Sequence, residues 1–262
     1  MQWFLTLNPV LQGLIATLFT YFITALGASV VFFFKSVKQR VLDMMLGFAA
    51  GVMIAASFFS LIEPAIYLAN ELGMISWLTV TIGFIFGGFF VILADIFLSR
   101  SAVIKSKNPT LKRSILLASS VTLHNIPEGL AVGVAFGSVA MGVEGASIMG
   151  AVMLAFGIGL QNFPEGVCVA MPLYRDGFSR RKSFFIGQAS GIVEPVAGVL
   201  GVIFAMTMRS ALPLALSFSA GAMIAVACSE LLPESFKENK VIAGFGVLFG
   251  FSTMMALDVA LG

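Results

Sequence analysis

Apolar runs of about two dozen residues follow one another along this chain, each long enough to cross a ~30 Å hydrocarbon core as a helix. Inside a bilayer every backbone N–H and C=O needs an internal partner, so repeated spans of this length leave helices as the solution. The period-two alternation of a transmembrane β-barrel is missing. Breaks in the apolar pattern divide the chain into eight predicted spans, near residues 8–34, 42–69, 74–98, 111–138, 144–171, 183–208, 211–234 and 240–261. Composition agrees: 59% of residues are hydrophobic and 11% charged, against roughly a quarter charged in soluble domains. Residues 1–262 read as one transmembrane domain of an all-α polytopic membrane protein, with no linker or low-complexity tail to carry a soluble one.

The basic residues set an orientation. Lys35, Lys38 and Arg40 fall between spans 1 and 2, and Arg100, Lys105, Lys107, Lys112 and Arg113 between spans 3 and 4. Arg175, Arg180, Arg181 and Lys182 fall between spans 5 and 6, and Lys237 and Lys240 between spans 7 and 8. Only Arg209 stands on the other side. The excess of cations in cytoplasmic loops then predicts a multi-pass cell-membrane protein with both termini outside. No Lys or Arg precedes Lys35, so the first run lacks the basic start of a cleaved signal peptide and reads as a retained helix. No basic patch is concentrated enough to bind nucleic acid. Cys168 and Cys228 lie in apolar runs and read as small buried hydrophobes, not a disulfide framework.

With the cations confined to loops, Glu128, Glu165 and Glu194 stand out in mid-span. An ionisable group at that depth costs at least about 2.5–3.5 kcal/mol and usually faces a partner or a water-filled path. No basic residue lies beside these three, which leaves them protonated or holding a cation. Their neighbours favour a cation. In "LHNIPEGLAVGVA", His124 and Glu128 are one helical turn apart, with Asn125 bordering their face. In "LQNFPEGVCVAMP", Gln161, Asn162 and Glu165 repeat the spacing. Imidazole, amide oxygen and carboxylate are all lone-pair donors, and such a mixed set suits a divalent first-row metal. Pro127 and Pro164 remove backbone donors inside these helices, which predicts kinks there, and Gly129 and Gly166 permit close approach.

These segments resemble the ZIP family of divalent-metal transporters. The likeness covers nearly the whole chain: "HNIPEG", "QNFPEG", "SGIVEPVAG", and, as in the prokaryotic branch, "GFAAGVMIAASFFSLIEPA" and "SELLPE". The resemblance implies a ZIP-like bundle of eight helices with kinked helices 4 and 5 at the centre. It implies a binuclear metal centre there, one site from His124, Glu128, Gln161 and Glu165 with Met53 nearby, the other from Asn125, Asn162 and Glu194, with Glu128 and Glu165 bridging. It further implies inward transport of a divalent cation, zinc first, by helices 1, 4, 5 and 6 sliding against 2, 3, 7 and 8, and a tendency to form homodimers. No enzymatic activity and no organic cofactor are expected.

The chain departs from the family pattern in having a single histidine: Gln161 stands where many members have another, and the loop between spans 3 and 4 has none. An amide oxygen binds zinc less well than imidazole, so cadmium, iron or manganese are expected to be accepted too. Asp43, Ser60, Asp95, Ser229, Glu230 and Asp258 are the polar groups available to line entry or exit. The rival readings are an intramembrane metalloenzyme and a proton- or sodium-coupled solute carrier. The first lacks HExxH and any Ser/His or Cys/His arrangement. The second lacks a roomy aromatic or basic substrate site.

Overall fold

The computed structural model describes residues 2–100, 109–143 and 145–261. Lys105 and Lys107 of the loop between spans 3 and 4, and the side chains of Lys112 and Arg113, lie outside the described residues. After a helical turn at Gln2–Leu5, the long helices are α1 (Pro9–Phe33), α2 (Gln39–Glu71), α3 (Ser76–Arg100), α4 (Pro109–Ala140), α5 (Ile148–Arg175), α6 (Arg180–Thr207), α7 (Arg209–Ser235) and α8 (Lys240–Leu261).

Local chemistry explains the ends. The Asn8 side chain accepts from the Val10 N–H at 2.9 Å, and Pro9 occupies the first helical position, where its missing donor costs nothing. The α4–α5 connection holds Gly142 and Gly145 at positive φ, and Ser147 caps α5 through the Gly150 N–H at 2.8 Å. That turn delays α5 to Ile148, four residues past the predicted start at 144.

Seven of these helices, all but α4, are long and apolar enough to cross a membrane among the described residues. The 32 residues of α4 have the length, and its sequence carries Lys112, Arg113, His124, Asn125 and Glu128.

The helices pack most extensively in four pairs: α2 with α8, α1 with α5, α4 with α6, and α3 with α7. Two glycines show how close the approach is. A methyl group on Gly129 would stand 2.4 Å from the carbonyl oxygen of Glu194 in α6, and one on Gly166 would stand 2.1 Å from that of Thr24 in α1. The glycine of each Pro-Glu-Gly therefore seats a neighbouring backbone directly beside the carboxylate. Helix α5 is central, with 67% of its apolar window buried, whereas α3 and α8, at 22%, turn Trp77, Phe86, Phe97, Phe249 and Val259 outward.

Changes of helix type occur outside the Pro127 and Pro164 segments. Helices α4 and α5 both run as continuous α-helix through Pro127 and Pro164. Instead α6 is interrupted at Gly191–Ile192, just ahead of Pro195, where the Glu194 N–H bonds to the Gly191 carbonyl at 3.0 Å. Helices α2 and α7 widen into π-helix at Ser57–Ile62 and Ala227–Leu231, with Glu63 N–H bonding to Phe58 O and Leu232 N–H to Ala227 O. Pro64 and Pro233 follow directly. Their rings clash with the carbonyls four residues back, those of Ser60 and Ser229, and the i→i−5 pattern relieves the conflict.

Candidate metal centre

The carboxylates predicted at mid-span are buried together. Asn125, Glu128, Gln161, Asn162 and Glu194 are fully inaccessible, and His124 and Glu165 are 4% and 3% exposed. Glu165 and Glu194 both lie within electrostatic reach of Glu128. None of the ion pairs among the described residues involves these three glutamates.

Each amide of the set spends its N–H₂ group on the protein. Asn125 Nδ2 donates to the Ser190 carbonyl at 2.8 Å, Gln161 Nε2 donates to Glu128 Oε1, and Asn162 Nδ2 donates to both oxygens of Glu194 at 2.9 Å. The Ser190 carbonyl has no hydrogen to give, which fixes the Asn125 amide, and with Glu128 and Glu194 ionised the reversed Gln161 and Asn162 amides would likewise set oxygen against oxygen. The consequence is six buried oxygens that receive no hydrogen bond from the protein: Asn125 Oδ1, Glu128 Oε2, Gln161 Oε1, Asn162 Oδ1, and both oxygens of Glu165. A buried polar atom without a partner costs about 1–3 kcal/mol, more if charged. Six such oxygens fall on two helices, α4 and α5, and each is an acceptor that a cation could satisfy.

Glu194 differs from its two companions. Besides Asn162 it accepts from the Thr20 hydroxyl at Oε2 and from the Thr24 hydroxyl at Oε1, 3.4 Å away. Thr17, Thr20 and Thr24 form a buried stripe on α1, and Thr20 and Thr24 were not among the residues the sequence singled out. Their i, i+3, i+7 spacing was a readable signal of a polar helix face, but nothing in the sequence said what it faced.

Met53 is fully buried within the main apolar cluster. Among the described residues no three His, Cys, Asp or Glu side chains stand close enough to hold a metal ion, so the amide oxygens have to contribute to any ligand shell. His124 Nε2 lies 3.3 Å from Glu230 Oε1 on the π segment of α7. A cavity of about 730 Å³ is lined by His124, Glu165, Asp95, Ser229 and Glu230 and runs to Arg175, Asp176, Glu234 and Lys237. It therefore connects the buried set to the end of the bundle that carries the α5–α6 and α7–α8 loops. A smaller cavity of about 100 Å³ near the α4–α5 connection is lined by Ser60 and Asp258, whose side chains hydrogen-bond at 2.7 Å. Asp43 is buried and accepts from Gln39 Nε2 at 2.9 Å.

Comparison with known proteins bears on this arrangement. The family model described as ZIP Zinc transporter matches residues 104–258. Zinc transporter ZIP11 of Xenopus tropicalis is 37% identical over 97% of this chain and 98% of its own length. The Homo sapiens protein of that name is 35% identical with the same coverage. Zinc transporter ZIPB of Bordetella bronchiseptica is 34% identical over 91% of this chain and 78% of its own length. The vertebrate matches are as similar as the bacterial one, so the likeness does not single out a prokaryotic branch. On the family match and on relatives aligned along nearly its whole length, the chain belongs to the ZIP zinc transporter family.

Proposed function

We propose that this protein carries divalent transition-metal cations across the cell membrane towards the cytoplasm, with zinc the first substrate and cadmium, iron and manganese accepted. The observation that carries the reading is the set of six unpartnered oxygens buried on α4 and α5, whose glutamates form no ion pair among the described residues. Its relatives' names, each a zinc transporter, support the choice of metal.

In this reading Glu128, Glu165, Gln161 and His124 replace the water stripped from the entering ion, drawing closer together around it than they stand here. Asn125, Asn162 and Glu194 offer a second position, with Glu128 and Glu165 between the two. Occupying that second position requires Glu194 to give up donors it now accepts, because Asn162, Thr20 and Thr24 saturate both its oxygens. Helix α4 crosses the membrane as the eighth span, its polar residues turned to the bundle interior. The termini lie outside, because the loops that carry fourteen of the fifteen basic residues share one side. The large cavity then opens to the cytoplasm, and the Ser60–Asp258 cavity lies towards the outside. Movement follows the packing pairs: α1, α4, α5 and α6 shift as a body against α2, α3, α7 and α8, carrying the ion between the two sides.

The test is metal flux into liposomes containing the purified protein, with Glu128→Ala and Glu165→Ala beside it. Uptake by the unmodified protein and its loss in both variants is expected. Undiminished uptake in both variants overturns the reading.

A further inference from the structure

Helix α5 is the most buried of the apolar spans, and the accessible positions of its inner half are informative. Between Pro164 and Leu173 all residues are buried except Cys168 and Pro172. Both line the 730 Å³ cavity, together with Glu165 above them and Arg175 and Asp176 below. Glu165, Cys168, Pro172 and Arg175 follow the three-to-four-residue spacing of one helix face. The thiol of Cys168 is therefore reached through the cavity, one turn below Glu165. Neither oxygen of Glu165 has a protein partner, although that residue is 97% buried by its 3% exposure. The carboxylates of Glu165, Glu234 and Asp43 lie within electrostatic reach of the sulfur. Cys168 forms no disulfide.

We propose that Cys168 is a specificity-determining ligand on the inner route, sharing a departing soft dication with Glu165 as the ion leaves the buried oxygens. The inference rests on the transport reading above and deepens it. Thiolate sulfur prefers soft and borderline cations such as cadmium and zinc over hard ones such as manganese. As the metal–sulfur bond forms, the S–H proton passes to cavity water, so no oxidant or reductant is involved. With one sulfur and one carboxylate the position is a transient two-ligand step, completed by water. It gives soft ions a lower barrier between the oxygen-rich centre and the cavity, and offers manganese no comparable step.

The experiment uses the full chain in liposomes in a Cys228→Ala background, which leaves Cys168 as its single thiol. Cadmium and manganese are the probes. Adding Cys168→Ser should lower the ratio of cadmium to manganese initial rates on the order of tenfold, the scale on which support of a metal ligand is felt. Cys168→Ala serves if the serine variant misfolds. In the Cys168-containing protein, cadmium should slow alkylation of the thiol by a charged maleimide and manganese should not. An unchanged rate ratio, or alkylation indifferent to cadmium, overturns the proposal. A background protein that carries neither ion defeats the transport reading itself, and the alkylation result still decides for or against metal at Cys168.

Discussion

Gln161 on α5 donates its amide N–H to Glu128 Oε1 on α4, and in doing so turns its own oxygen into the buried space between the two helices. One contact joins the two Pro-Glu-Gly helices and presents a neutral amide oxygen. Imidazole suits zinc, whereas carbonyl oxygen also suits manganese. Gln161→His should therefore raise the ratio of zinc to manganese uptake in a mixed-ion flux assay, by several-fold. An unchanged ratio means that the residue at 161 does not touch the ion.

Glu128 and Glu165 supply three of the six unpartnered oxygens. Removing a supporting partner of a ligand typically costs 10–100-fold in metal affinity or activity, and removing the ligand should cost at least that. Glu128→Ala and Glu165→Ala are each expected to reduce zinc flux at least about 10-fold while eluting from size exclusion in detergent as the unmodified protein does.

Asn162 holds Glu194 through both of its oxygens. Asn162→Asp replaces that donor with a second carboxylate and should lower the unfolding temperature in metal-free detergent. A dication between the two carboxylates would reverse the effect, since binding to the folded state alone adds about 2.7 kcal/mol at a hundredfold excess over Kd. The zinc-induced rise in unfolding temperature should be larger for Asn162→Asp than for the unmodified protein. Equal rises would show that this second position takes no ion.

Gly129 and Gly166 sit against neighbouring backbone, where a side chain cannot turn aside. Gly129→Ala and Gly166→Ala should each cost about 1–3 kcal/mol by overpacking, read as lowered thermal stability in detergent. At Gly244 a methyl group meets nothing within 4 Å. Gly244→Ala should fall within about 0.5 kcal/mol of the unmodified protein.

The span pattern was legible because hydrophobic length and cation placement are local properties, and the helices fall within four residues of the boundaries expected from them. The buried polar faces of α4 and α5 were legible for a similar reason: His124/Glu128 and Gln161/Glu165 are one turn apart on a single helix. What the sequence could not show depends on which helix lies opposite. Thr20 and Thr24 matter only because α1 packs on α5 and α6, and the Ser190 carbonyl accepts from Asn125 only where α6 is interrupted. The prolines were visible, but not every outcome was: Pro64 and Pro233 are preceded by π-helix that bears Ser60, Ser229 and Glu230.

The most direct test of the buried oxygens as a cation site is anomalous diffraction at the zinc edge from crystals of the unmodified protein grown with zinc. The account predicts a peak between α4 and α5, with carboxylate oxygens of Glu128 and Glu165 at about 2.0–2.2 Å. Zinc density confined to the cavity mouth, with those carboxylates packed against protein and no peak between the helices, would contradict it.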